Sequence, residues 1–345
     1  MFSITCGDVL TSLKTYPNNT FDACLSDPPY SLGFMNMSWD KGLPSVETLG
    51  ELLRVLKPGA HALLFGGTRT WHRLAVSAED AGFELRDSII AWVYGSGLPK
   101  SLNLEKATGD AAWQGHGTAL KPAWEPVLIL MKPLDGTFAA NAGRWGVAGL
   151  NIDACKIGAG GRFPANVIFD DEAAAALDLQ TGILKSGKMK AGTKRATRAG
   201  NALGKQCATT LHDTIGDSGG ASRFFYCAKT SAKERNAGMP PDEKNGHPTL
   251  KPLALTEYLA RLILPPTRAD GTPRRLIVPY GGSGSEMIGA LMAGWDEVTG
   301  IELSPEYAEI ARARLQHSVP EHVGTAVPPP LTADAYRWPS TARTC

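Results

Sequence analysis

Apolar and polar positions follow one another along this chain in short blocks broken by Gly, Pro and polar turns, and block length separates strands from helices. FDACLSD (21–27) is an apolar run closing on a polar turn, the pattern of a buried parallel strand. The spacing predicts a helix over Val46–Leu56, stopped by Lys57-Pro58-Gly59, and then a strand in HALLFGG (61–67). A helix over Trp71–Ala81 ends at Gly82, and DSIIAWVYG (87–95) and EPVLILMK (125–132) are expected to be neighbouring strands. From about 134 to 245 the periodicity fades into Gly, Asn, Thr and Ser. Regular patterning then returns. A helix is predicted over Leu253–Leu264, a strand in RRLIVPYGGSG (274–284) that runs into a Gly-rich turn, and a helix over Ser285–Ala293. EVTGIE (297–302) makes another strand and Pro305–Gln316 another helix. The tail, 319–345, has no period and is expected to be poorly ordered.

Strands and helices alternating on both sides of an irregular middle predict an α/β fold, a mostly parallel twisted sheet carrying an inserted region. Ligands of such sheets bind at the carboxyl ends of the strands, near the point where the strand order reverses. Composition narrows the classes further. No apolar run reaches the roughly 18 residues of a membrane span, and the N-terminus lacks a secretory pattern, so no membrane partner is expected. The six cysteines show no CxxC pair, which fits reduced thiols of a cytoplasmic protein without zinc. Formal net charge is +1, but the charge is segregated: residues 97–245 hold 19 Lys+Arg against 14 Asp+Glu, leaving 16 against 20 elsewhere. Lys185, Lys188, Lys190, Lys194, Arg195, Arg198 and Lys205 crowd into 185–205 with no acid among them. Such a loop is either a solvated face or a set of phosphate contacts.

Two motifs fall at predicted strand ends. Asp27-Pro28-Pro29-Tyr30 follows the first strand, where two prolines force the chain out of the sheet and leave carbonyls free. An acid, a free carbonyl and an aromatic ring together suit a flat substrate bearing an exocyclic amine. Pro279-Tyr280-Gly281-Gly282-Ser283-Gly284-Ser285 joins a strand to a helix, and its glycines let backbone N–H groups approach a ligand. Glu302 ends the next strand about 20 residues on, the offset at which an acid holds a nucleoside ribose. No GxxxxGK[ST] occurs, so a nucleoside without a triphosphate is expected.

With His247-Pro248-Thr249-Leu250-Lys251-Pro252, these motifs resemble the amino-methyltransferases of DNA, in the circularly permuted order of the β class, catalytic motif first and cofactor turn last. Gly7-Asp8 ahead of DPPY and Ile301-Glu302-Leu303-Ser304-Pro305-Glu306-Tyr307 match the same group, and 222–229 resembles phage and prophage members. The resemblance implies a Rossmann-like methyltransferase fold, S-adenosylmethionine (SAM) as cofactor and double-stranded DNA as partner. It divides the chain into a catalytic half (1–133), a target-recognition region (134–245), a SAM-binding half (246–318) and the tail. It places the flipped base against Asp27, Pro28, Pro29 and Tyr30, with Phe34 and Trp39 nearby. It places the cofactor against Asp8, Asp27, Thr249, Lys251, Pro279, Tyr280, Gly282, Ser283, Gly284 and Glu302, while the basic run itself offers Lys188, Lys190, Lys194, Arg195 and Arg198 as candidate DNA contacts. The family's usual Asp-Pro-Phe is here Val278-Pro279-Tyr280, so an acid near the cofactor amino group is missing and Asp27 is left to serve it. The acid of DPPY favours adenine N6 over cytosine N4 as the acceptor. A DNA-binding module with a decayed SAM site is the non-enzymatic alternative, and a homodimer and a restriction partner both stay open.

Overall fold

The structure is a computed structural model and describes residues 1–32, 42–86, 89–97, 99–158, 161–193, 213, 216–228, 234–237, 239, 245 and 250–318. In the first part of the chain β1 (Phe2–Cys6), α1 (Val9–Leu13), β2 (Phe21–Ser26), α2 (Val46–Val55), β3 (Leu56–Phe65) and α3 (Trp71–Asp80) alternate. β4 (Glu84–Leu85), β5 (Ile90–Val93), α4 (Leu104–Thr108) and β6 (Trp124–Met131) follow. The middle contains α5 (Phe138–Trp145), β7 (Val167–Asp170), α6 (Asp171–Thr181), β8 (Leu184–Ser186), β9 (Asp217–Gly219) and β10 (Tyr226–Ala228). The last part is α7 (Leu253–Leu262), β11 (Arg275–Pro279), α8 (Ser285–Ala293), β12 (Glu297–Glu302) and α9 (Pro305–Ser318). Among the described residues no helix is long and apolar enough to cross a membrane.

One sheet carries the molecule, in the order β1-β12-β11-β2-β3-β6-β5-β7-β10, with β4 also on β6. β6 runs antiparallel to β3, β4 and β5, and the other pairings in the sheet are parallel. The expected α/β, mostly parallel sheet is therefore present, and its first motif strand (β2) and last motif strand (β11) are neighbours. Both are buried along most of their length, as a sheet covered on two faces requires. β2 leads outward to β3 and β11 leads outward to β12, so the order reverses between β2 and β11.

Three details depart from the periodicity. Lys57-Pro58-Gly59 does not follow a helix as a loop but lies inside β3, where the register to β2 slips between Phe21 and Ala23. Gly59 takes φ +76° there, and Asn141 Nδ2 donates to the Pro58 carbonyl at 2.9 Å. A short first strand, β1, pairs with β12 and places Cys6 opposite Glu302. The weakly periodic middle is also less separate than its composition suggests, because β7 and β10 extend the main sheet while β8 and β9 form their own hairpin. The tail, 319–345, lies outside the described residues.

Candidate active site

Because every strand of the main sheet except β6 points the same way, one edge collects the ends of β1, β12, β11, β2, β3 and β5 together with the start of β6. DPPY leaves β2 at that edge, and Ser26 Oγ, from the last residue of the strand, donates to the Pro279 carbonyl at 2.7 Å. DPPY and the Gly-rich turn are thus fastened to each other at the switch point. Pro28 is buried.

Asp27 and Tyr30 do not stand alone. Tyr30 Oη donates to Asp27 Oδ1 at 2.6 Å, with Glu125 Oε2 also in reach at 3.1 Å. Lys251 Nζ lies 2.9 Å from Asp27 Oδ2, 3.1 Å from Glu125 Oε2 and 3.1 Å from Tyr30 Oη. The Lys251 side chain is only 6% exposed. Burial pulls its pKa down, but Asp27 and Glu125 more than offset this and hold it above the ordinary lysine range, so it stays charged. Burial, and then Asp27 and Glu125, push the Tyr30 hydroxyl well above its usual value, so it stays a donor. Thr70 Oγ1 donates to the Tyr30 carbonyl at 2.7 Å and fixes the backbone after the two prolines.

The Gly-rich turn is set by backbone geometry that its glycines permit. Gly282 and Gly284 take φ +49° and +83°, and Tyr280 sits at +56°, a region costly for a residue with a Cβ. Gly281 N–H donates to the Ile301 carbonyl at 2.9 Å, and Gly282 N–H to Glu302 Oε2 at 2.8 Å. Glu302 Oε1 accepts from Ser304 N–H at 2.8 Å. The carboxylate therefore shapes the turn and still keeps an acceptor position on each oxygen. Gly7 N–H donates to the Glu302 carbonyl at 2.8 Å, which brings Asp8 to the same place. Asp8 caps α1, its Oδ1 accepting from Thr11 N–H at 2.9 Å. Ser283 is buried against α9, where Arg314 donates to its hydroxyl at 3.0 Å and to its carbonyl.

The donor set fits a zwitterionic nucleoside sulfonium such as SAM. Acceptors for ribose hydroxyls stand at Glu302, and backbone amides and glycines line the turn. Carboxylates and buried cations stand near one another beside the turn, namely Asp27, Lys251, Glu286 and Arg314. Among the described residues no group of three His, Cys, Asp or Glu side chains is placed to hold a metal ion.

The expected residues Asp8, Asp27, Pro28, Pro29, Tyr30, Lys251, Pro279, Tyr280, Gly282, Ser283, Gly284 and Glu302 all lie along this one edge. Thr249, Phe34 and Trp39 lie outside the described residues, as do Lys194, Arg195 and Arg198. Lys188 and Lys190 are exposed beside the β8–β9 hairpin, off the main sheet. Three members of the site escape the motifs: Glu125, Glu286 and Arg314. Glu125 is the second residue of an otherwise apolar strand. Glu286 is an acid in the apolar helix SEMIGALMA, where it passes for a residue favoured by the helix dipole. Arg314 is 1% exposed on α9.

The chain matches the model of a family described as DNA methylase over residues 21–313. It is 31% identical over 106 residues to the Type II methyltransferase M.HpaI of Haemophilus parainfluenzae, a stretch covering 28% of this chain and 33% of that protein. It is 32% identical over 91 residues to the Type II methyltransferase M.HindIII of Haemophilus influenzae, covering 24% and 29%. The chain thus aligns with about a third of the length of these curated relatives. In structure it is similar to the cytosine-N4-specific PvuII DNA methyltransferase, with a TM-score of 0.51 and 14% identity, covering 93% of this chain and 88% of that one. At that identity the likeness concerns the fold.

Proposed function

The chain belongs to the N6/N4 DNA methylase family, and on that premise we propose that it transfers a methyl group from SAM to the exocyclic N6 of adenine in double-stranded DNA, at specific sites. The observation that carries the reading is the hydrogen bond from Ser26 to Pro279, which sets the amine-binding DPPY and the nucleoside-binding turn side by side at one sheet edge.

When bound, SAM supplies an activated methyl group on a sulfonium. The work of the chain is done on the acceptor amine. Its lone pair is delocalised into the purine, so it is a weak nucleophile. Asp27 and the Pro28 carbonyl accept the two N–H bonds, draw the nitrogen toward a pyramidal shape and stabilise the positive charge that develops on it. Asp27 already accepts from Tyr30 and Lys251, yet a carboxylate has about four acceptor positions, so room remains for the amine. Lys251 and Tyr30 act as positioning residues that fix the carboxylate before the base arrives, and alignment of this kind is a large part of catalysis. An adenine inside a duplex is out of reach, so it is flipped out and stacks on the Tyr30 side. DNA is held by the basic segment that includes Lys188, Lys190, Lys194, Arg195 and Arg198. The acid at position 27 supports adenine over cytosine.

Incubation with methyl-labelled SAM and mixed-sequence DNA, followed by chromatography of the digested nucleosides, tests this. N6-methyladenine is expected. N4-methylcytosine would move the substrate to the other base, and absence of label in DNA at every salt concentration would leave only a DNA-binding module.

A further inference from the structure

A cofactor whose methionine end carries an ammonium needs an anion there, and at position 278, where the sequence lacks the usual acid, the structure places a valine side chain with 0% exposure in the hydrophobic core. The carboxylates at the edge are not equally free to serve. Asp27 accepts from Tyr30 on one oxygen and pairs with Lys251 on the other, and Glu125 Oε2 meets both Lys251 and Tyr30. Glu302 holds the Gly-rich turn.

Glu286 is different. It stands in the first turn of α8, just after Gly284, and is 5% exposed. Among the described residues its carboxylate accepts from its own backbone N–H and from no other side chain. The charged groups facing it come from three elements: Asp27 after β2, Lys251 before α7 and Arg314 on α9. Arg314 spends its Nη donors on Ser283, Ser285 and the Glu234 carbonyl, and its Nε–H is buried without a partner. The packing that creates this place is tight. Thr256 Oγ1 on α7 donates to the Ser285 carbonyl at 3.1 Å, and Gly289 lets α7 and α8 approach so closely that a Cβ would lie 2.6 Å from the Glu257 amide nitrogen. A buried carboxylate without a side-chain partner, next to a turn built for a ligand, is satisfied once a cation arrives.

We propose that Glu286 is the residue that receives the ammonium of the cofactor's methionine end, relieving Asp27 of that task and leaving it to the substrate amine. The assignment rests on the methyltransferase reading above. Burial, and then Asp27, push the Glu286 pKa up to about 7, so the carboxylate is only partly ionised near neutrality. A cation brought beside it draws it into the charged form, so affinity for an ammonium-bearing ligand rises with pH across this range.

Calorimetric titration of the full chain with S-adenosylhomocysteine, and with its analogue lacking the α-amino group, tests the assignment. Glu286→Gln should weaken binding of the amino-bearing ligand about ten-fold, the size of one charge-assisted contact, and change binding of the des-amino analogue less than about two-fold. Equal losses for both ligands, or none for either, would overturn it. Should that variant fail to fold, the wild-type protein gives the same answer: affinity should rise about ten-fold from pH 6 to pH 8 for the amino-bearing ligand and stay flat for the analogue. Parallel profiles would overturn the assignment. A wild-type chain that binds neither ligand overturns the methyltransferase reading, and this inference with it.

Discussion

Lys251 Nζ lies 2.9 Å from Asp27 Oδ2, with the two side chains 6% and 16% exposed, so the acid of DPPY is fixed by a lysine more than two hundred positions further along the chain. Removing one partner of such a pair is costly, because the other is left as an uncompensated buried charge. Lys251→Met should destabilise the fold by about 3–5 kcal/mol, seen as a lower urea midpoint. Lys251→Met combined with Glu125→Gln should cost less than the sum of the two, since one leftover charge has gone. Strict additivity would mean that the pair is not coupled.

Asp27→Asn keeps the shape of the motif and removes the charge that the proposed mechanism sets against the developing cation on the amine. Methyl transfer should fall by about 10²–10³-fold, with DNA affinity within a factor of about two, as expected of a group that acts on the transition state. A gel-shift assay beside the labelling assay separates the two effects. Unchanged transfer would remove Asp27 from the catalytic step.

His61 is buried on β3, and burial, with Arg86 adding to it, lowers its pKa from 6.5 to about 4. The unfolded chain takes up this proton first as pH falls. Stability that is complete above about pH 6.5 is therefore lost on the way down to about pH 4, by up to about 3 kcal/mol. Between pH 7.5 and 4.5 the urea midpoint of the wild type should fall relative to that of His61→Leu. Parallel curves would assign the acid sensitivity to other groups.

Neutralising Lys188, Lys190, Lys194, Arg195 and Arg198 together should weaken DNA binding and flatten its dependence on salt, by a slope of about 0.9 for each phosphate that no longer meets a cation. The slope of log affinity against log salt measures this directly. An unchanged slope would make the segment a solvated face.

Gly289→Ala tests whether the α7–α8 contact positions the site. The added Cβ meets the Thr256 hydroxyl and the Glu257 backbone, and the backbone cannot swing aside as a side-chain tip can. A loss of about 1–3 kcal/mol is expected, with weaker cofactor binding because Lys251 and Pro252 lead into α7. A thermal melt and a cofactor titration check both parts. Unaltered cofactor binding would show that α7 can shift without disturbing Lys251.

Much of this site was legible in the sequence. DPPY, the Gly-rich turn and Glu302 are local devices: prolines end a strand, glycines take positive φ, and an acid closes the next strand, each fixed by residues a few positions apart. The alternation of blocks likewise determined an α/β sheet with the two motifs at strand ends. What the sequence by itself left open was who stands next to whom. Glu125, Glu286 and Arg314 look like ordinary strand and helix residues until β6 turns antiparallel, α7 packs on α8 and α9 covers the turn. The assignment of β7 and β10 to the main sheet was also decided in three dimensions, because strands as short as Val167–Asp170 and Tyr226–Ala228 carry too few positions to show a period. Local conformation follows from steric rules acting on neighbours in the chain. The partnership of Lys251 with Asp27, and the isolation of the Glu286 carboxylate from other side chains, follow from burial and from charges brought together across the fold, and only the tertiary structure supplies those.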